Sequence, residues 1–184
     1  MIVGFVILAL CVLLIGLLIM TYNGFVAKRN LVDEALSGID VMFKKRYDLI
    51  PNLVETIKGY ATHEKETLSA IVKLRNEALT AGNAEQKNQL ESSLSQAVTK
   101  IFALAEQYPD LKANTNFQSL QADLATLETD IERSKRYYNG TVRDYNTAVE
   151  SFPGILIAGA FGFAKKSFLE LTDASVRETP KVKF

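Results

Sequence analysis

The side chains of this sequence that could do chemistry are few. There is one histidine, His63, and one cysteine, Cys11, so neither a disulfide framework nor a multi-ligand Cys/His metal site can be built. His63-Glu64 opens like a metalloprotease helix, but no second histidine follows four residues on, and two imidazoles cannot share a zinc. A di-iron centre of the ferritin kind needs two Glu-x-x-His units and fails for the same reason. Cys11 lies in an uncharged apolar run with no base near it, which makes it a packing residue rather than a nucleophile. The glycines at 154, 159 and 162 lack the spacing of a phosphate loop, and no Lys-Ser or Lys-Thr pair opens a helix there. The sequence therefore predicts no catalytic residue, no metal site and no cofactor.

The remaining polar residues read as structural. The clusters Lys44-Lys45-Arg46 and Arg133, Lys135, Arg136 are interleaved with Asp40, Asp48, Asp130 and Glu132, a pattern that predicts solvated, ion-paired helix faces. Asn139 and Asn146 each follow a tyrosine and stand seven residues apart, so they share one helix face. With Asp40, Asp48 and Pro51 they form a set expected to fix register and packing. Candidate contacts with a partner are Tyr108, Pro109 and Asp110 in a loop, and Phe152, Pro153, Phe161 and Phe163 near the C-terminal end. The 21 basic and 21 acidic side chains cancel, which argues against nucleic acid as a partner.

These residues have to be carried by the elements that hydrophobic spacing predicts. Eighteen of the first twenty residues are hydrophobic, and no charge appears until Lys28. The run from Ile2 through Phe5, Leu13 and Ile19 to Met20 is long enough, with Thr21 and Tyr22, to cross a bilayer core of roughly 30 Å. It lacks the basic n-region, short h-region and small-x-small site of a cleaved signal peptide. Lys28, Arg29, Lys44, Lys45 and Arg46 all follow the run. The positive-inside rule thus places the N-terminus outside and the body in the cytoplasm, with the lipid bilayer as a partner.

Four apolar stripes at helical spacing follow. The first runs from Leu31 to Ala61 across Pro51, the second from Leu68 to Leu79, the third from Leu90 to Tyr108, and the fourth from Phe117 to Phe152. Thr62 suits an N-cap for the second helix, Asn83 with Gln86 for the third, and Thr115 with Gln118 for the fourth. Short connectors make sequential helices antiparallel neighbours. The expected fold is all-α, a transmembrane helix followed by an antiparallel bundle of about four long helices. Its parts are an anchor (1–24), a bundle (25–153), an apolar glycine-rich segment (154–171) and a polar tail (172–184). The glycine-rich segment is too short to span a bilayer and either packs on the end of the bundle or lies at the membrane surface, with Lys165 and Lys166 at the headgroups.

With these residues in view the sequence resembles the LemA family, bacterial proteins with one N-terminal span and a helical body. The resemblance rests on Ile39-Asp40-Val41, on Lys45-Arg46-Tyr47-Asp48-Leu49-Ile50-Pro51-Asn52-Leu53-Val54-Glu55-Thr56 and on Lys58-Gly59-Tyr60-Ala61. It continues through Tyr108-Pro109-Asp110-Leu111-Lys112-Ala113-Asn114, the Tyr138-Asn139 and Tyr145-Asn146 pairs, and Phe152-Pro153 ahead of Gly162-Phe163. Tyr22-Asn23-Gly24-Phe25 and Met42-Phe43 depart from the family pattern. The resemblance implies a helical bundle on a membrane anchor and no established enzymatic activity. Some relatives act in building magnetosome membranes, and the family often neighbours membrane proteases. The functional expectation is a non-enzymatic scaffold or adaptor anchored in the bacterial inner membrane, self-associating or bound to another membrane protein. The alternative is a membrane-shaping protein that contacts lipid through residues 154–166.

Overall fold

A computed structural model describes residues 1–61 and 63–169, the side chain of Ala84 excepted. The polar tail 172–184, the end of the glycine-rich segment and the expected cap Thr62 lie outside the described residues. Among those described there are six helices and no strand: α1 (Ile2–Lys58), α2 (Lys65–Leu79), α3 (Ala84–Ala105), α4 (Pro109–Lys112), α5 (Thr115–Glu150) and α6 (Gly154–Phe161).

The apolar leader and the first stripe form one helix of 57 residues. Gly24 has open space around it and no positive φ, so nothing at the end of the leader breaks the helix. Pro51 lies inside α1, where its ring nitrogen cannot donate to the carbonyl of Tyr47 four residues back. That carbonyl accepts instead from Arg75 Nε of α2 at 2.7 Å. Arg75→Met is expected to cost about 1–3 kcal/mol by leaving the carbonyl unpaired. Adding Pro51→Ala should remove most of that cost, because an alanine amide at this position restores the intrahelical donor. A double-mutant cycle on unfolding midpoints checks this coupling.

Cap chemistry starts the later helices. Asn83 Oδ1 accepts from the Gln86 amide at 2.8 Å at the start of α3. At α5 the cap is Asn114, not Thr115: Asn114 Oδ1 accepts from the Phe117 amide at 3.0 Å. Gln118 reaches back to the Lys112 carbonyl at 2.9 Å instead of closing a box with Thr115. The connector before it, expected to be irregular, holds the short α4 with Pro109 at its start.

The described chain divides into two compact units, one of residues 1–37 and 136–169, the other of residues 38–135. In the unit 38–135 the contacts set an up-down order. Tyr47 meets Arg75 on α2, so α1 and α2 run in opposite senses across the turn at Ala61. Ser95 meets Glu128 and Phe102 meets Phe117, so α3 and α5 are antiparallel. Asp40 meets Lys87 while Arg46 meets Glu91, so α1 and α3 are parallel diagonal partners. Ile50, Leu53, Ile57, Ile71, Leu94 and Ile101 fill the core, each contributing about 1.5–3 kcal/mol by removing its side chain from water. In the unit of residues 1–37 and 136–169 the core is Phe25, Val32, Tyr138, Val142, Tyr145, Val149 and Phe163. Gly154 permits a close approach there: a Cβ would lie 2.4 Å from the Ala148 carbonyl oxygen and 2.9 Å from Phe25 Cζ.

Candidate functional site

Within residues 38–135 a buried ionic cluster occupies the middle of the helices. Arg46 is 2% exposed and Glu91 is fully buried, which corrects the expectation that Lys44-Lys45-Arg46 is a solvated face. Lys44 and Lys45 are exposed as expected, but Arg46, one helical step on, points inward. Its guanidinium donates to the Glu91 carboxylate, to Ser95 Oγ at 2.6 Å and to Glu128 Oε2 at 2.7 Å. Tyr47 OH donates to the other Glu91 oxygen, and Ser95 Oγ to Glu128 Oε1 at 2.8 Å. The Arg46 Nε has no acceptor. Lys135 is buried as well, a second departure from the solvated reading. The buried Phe43 ring has Arg46, Lys87 and Lys135 within 5.6–5.9 Å of its centroid, so its π face helps hold two buried cations and the partly exposed Lys87.

Burial pushes the Glu91 carboxyl up to about 8, with Lys135 pulling it down and Glu128 and Asp40 adding to the rise. Burial likewise lowers Arg46 and Lys135. For Glu91 the folded chain holds its proton at pH values where the unfolded chain has lost it. Its contribution to stability is therefore full below the ordinary carboxylate range and declines as pH rises towards 8. The unit should melt at progressively lower temperature from pH 5 to 8, and Glu91→Gln should flatten that slope. Thermal unfolding across this pH range measures it. Chemically the cluster joins the Arg46–Glu128 ion pair to Glu91, a buried carboxyl that bonds Arg46 and Tyr47 and becomes a full ion-pair partner above about pH 8.

A groove of about 950 Å³ lies beside the end of α1 and α2. Val54, Ala61 and Leu68 form its floor and Lys58, Lys65 and Lys73 its rim. Its carboxylate, Glu77, pairs with Lys73 at 3.8 Å. Among the described residues no three His, Cys, Asp or Glu side chains converge as metal ligands.

Within residues 1–37 and 136–169 the two Tyr-Asn pairs form a ladder on α5 that grips the chain after α6. Asn146 bonds both main-chain groups of Lys166, its Nδ2 donating to the carbonyl at 2.9 Å and its Oδ1 accepting from the amide at 2.9 Å. Asn139 does the same with Leu169 at 2.8 and 2.9 Å. Tyr145 OH donates to the Ala164 carbonyl and Tyr138 OH to the Ser167 carbonyl, each at 3.1 Å. The repeat length explains the fit: seven helical residues rise about 10.5 Å, and three extended residues span about 10 Å. A heptad on α5 thus matches a three-residue step along the strap. The ion pairs Lys166–Asp33 and Lys165–Glu150 flank it at 3.1 and 2.8 Å.

The other predicted residues are dispersed. Ile2, Phe5, Leu13 and Ile19 are exposed along α1. Asp40 pairs with Lys87 at 2.6 Å, and Asp48 is exposed. Tyr108 OH donates to Glu64 at 3.3 Å, while Pro109 and Asp110 are exposed on α4. His63 is exposed. Phe152, Pro153 and Phe161 are exposed next to α6, and Phe163 is buried against Tyr22 and Phe25. Glu91, Ser95 and Glu128 escape a reading of the sequence, since each stands in a polar stretch with no local mark of burial. Their signal is helical spacing: Glu91 shares a face with Leu94 and Val98, and Glu128 one with Leu124 and Ile131.

One helix long and apolar enough to cross a membrane, followed by an all-α body with an internal ion-pair network, defines the class of this protein. The chain belongs to the LemA family, whose model matches residues 35–184. It is similar to the magnetosome protein MamQ of Magnetospirillum gryphiswaldense, 23% identical over 177 residues, covering 82% of this chain and 65% of the relative. It is also similar to the protein LemA of Metamycoplasma hominis, 27% identical over 150 residues, covering 77% of this chain and 67% of the relative. The magnetosome protein MamQ 1 of Paramagnetospirillum magneticum is 23% identical over 182 residues, with 85% and 67% covered. The chain thus spans about two thirds of the length of these relatives.

Proposed function

We propose that this protein is a single-pass, inner-membrane-anchored scaffold or adaptor without enzymatic activity, which self-associates or binds another membrane protein. The observation that carries the reading is α1. Its first twenty residues are exposed along their whole length apart from a half-covered Gly16, no other described element packs on them, and the helix then continues unbroken into the body. An apolar surface of that length needs a cover, and a bilayer supplies one. The names of its relatives are not names of enzymes. Alkaline carbonate extraction should leave the full chain in the membrane pellet; recovery in the supernatant would refute the anchor. A cysteine introduced near the C-terminus should resist an impermeant maleimide added outside intact cells, because the body is cytoplasmic. Labelling there would reverse the orientation.

A second reading, membrane shaping by direct lipid contact through residues 154–166, is favoured by the apolar side chains that α6 leaves in solvent. Deformation of vesicles carrying the full chain tests it, and unchanged vesicle shape at high protein density would rule it out.

A further inference from the structure

The exposed face of α6 is continuous with the surface of the apolar run. Tyr22, at the end of that run, packs its ring 5.2 Å from Phe161 and 5.5 Å from Phe163. At the other end of α6, Gly154 abuts Phe25. Tyr22 and Phe25 are one turn apart on α1, whereas α6 is about 12 Å long. A helix whose two ends meet the same turn of α1 runs across it rather than along it. Its inner face carries Gly154 and Ala158, which are buried. Its outer face carries Ile155 and Leu156, 54% and 68% exposed, next to Phe152 at 81%. Gly162, at φ 72°, ends the helix and turns the chain into the strap held by the Tyr-Asn ladder.

We infer that α6 lies in the plane of the membrane interface, with Phe152, Ile155, Leu156 and Phe161 among the upper lipid chains, and that the ladder clamps it at that depth. The occupant of this face is a lipid surface. It is level with the residues at which the anchor's apolar run ends, and the first cations past that point, Lys28 and Arg29, sit where headgroups would be. Arg29 itself stacks on Phe163 at 5.6 Å. A short apolar helix crossing the anchor at that height matches the geometry of interfacial helices, which bury one face about 5–10 Å into the headgroup and acyl boundary. The clamp acts through the strap's main chain, so it fixes position without specifying strap side chains.

This inference rests on the anchor reading above, and one experiment separates the two. The chain has no tryptophan, so Leu13→Trp, Leu156→Trp and Phe168→Trp each give a single fluorophore in the full-length protein. They are reconstituted into phosphatidylcholine vesicles brominated near the headgroup, at mid-chain or at the chain end. Leu156→Trp is expected to be quenched most strongly by bromine nearest the headgroup, and Phe168→Trp, on the strap, at least several-fold less. Leu13→Trp should be quenched most by bromine at the chain end. A deep Leu13→Trp with an unquenched Leu156→Trp would overturn the inference and leave the anchor standing. A Leu13→Trp quenched by none of the lipids would overturn both. Adding Asn146→Ala, which removes one rung and keeps Asn139, should shift Leu156→Trp away from its shallow maximum at unchanged helicity; an identical depth profile would remove the ladder's clamping role.

Discussion

At pH 9, where Glu91 is ionised, replacing Arg46 with alanine is expected to destabilise the helical body by about 3–5 kcal/mol, the cost of breaking a buried ion pair from one side. The loss has several parts. The buried Glu91 carboxylate loses its counter-ion, and Ser95 and Glu128 lose a donor. The Phe43 ring loses one of the three cations that surround it. Removing the guanidinium also drives Glu91 further towards protonation, which limits the loss without cancelling it. The contrast is the paired replacement Arg46→Leu with Glu91→Leu. It removes both charges, and Ser95 and Glu128 keep each other at 2.8 Å. It should recover a large part of the stability, because an apolar pair of similar volume carries no desolvation cost. Urea unfolding of the detergent-solubilised full chain at pH 9, followed by circular dichroism, measures both. A single variant as stable as the parent would show that the cluster contributes nothing.

The second large effect belongs to the anchor. Leu13 and Leu14 lie near the middle of the apolar run and are both exposed. Among the described residues no second helix lies beside them. Each lysine placed at the centre of a spanning helix costs about 2.5–3.5 kcal/mol, so Leu13→Lys with Leu14→Lys costs about 5–7 kcal/mol. The double variant should pass from the membrane pellet to the soluble fraction on carbonate extraction. Leu13→Ile with Leu14→Ile should stay in the pellet. If the lysine variant also stays, the helix is held by something other than its apolar run.

Much of this architecture is visible in residue order. The apolar run, the four stripes and the Asn83 cap follow from spacing, because a helix buries what recurs every three or four residues. Burial of polar side chains does not follow from spacing. Arg46 sits next to two exposed lysines, and only its partners on α3 and α5 distinguish it from them; those partners are 45 and 82 residues away. The heptad places Asn139 and Asn146 on one face, and register fixing is the role it suggests. The structure shows that they bond the main chain of residues 166 and 169. A heptad on a helix carries no mark of the extended segment it will grip. Pro51 is a third instance: an apolar stripe that runs across it is visible in the sequence, whereas the arginine that takes up the freed Tyr47 carbonyl lies on the next helix. The exposed face of α6 is legible as apolar residues, and its height beside Tyr22 is not.

The proposed function requires that the protein works by association at the membrane. Crosslinking in intact membranes, with the full-length protein at its native level, puts this to the test. Crosslinked species are expected that contain either a second copy of this chain or one co-purifying membrane protein. A protein that remains strictly monomeric and brings no membrane partner with it would refute the proposed function.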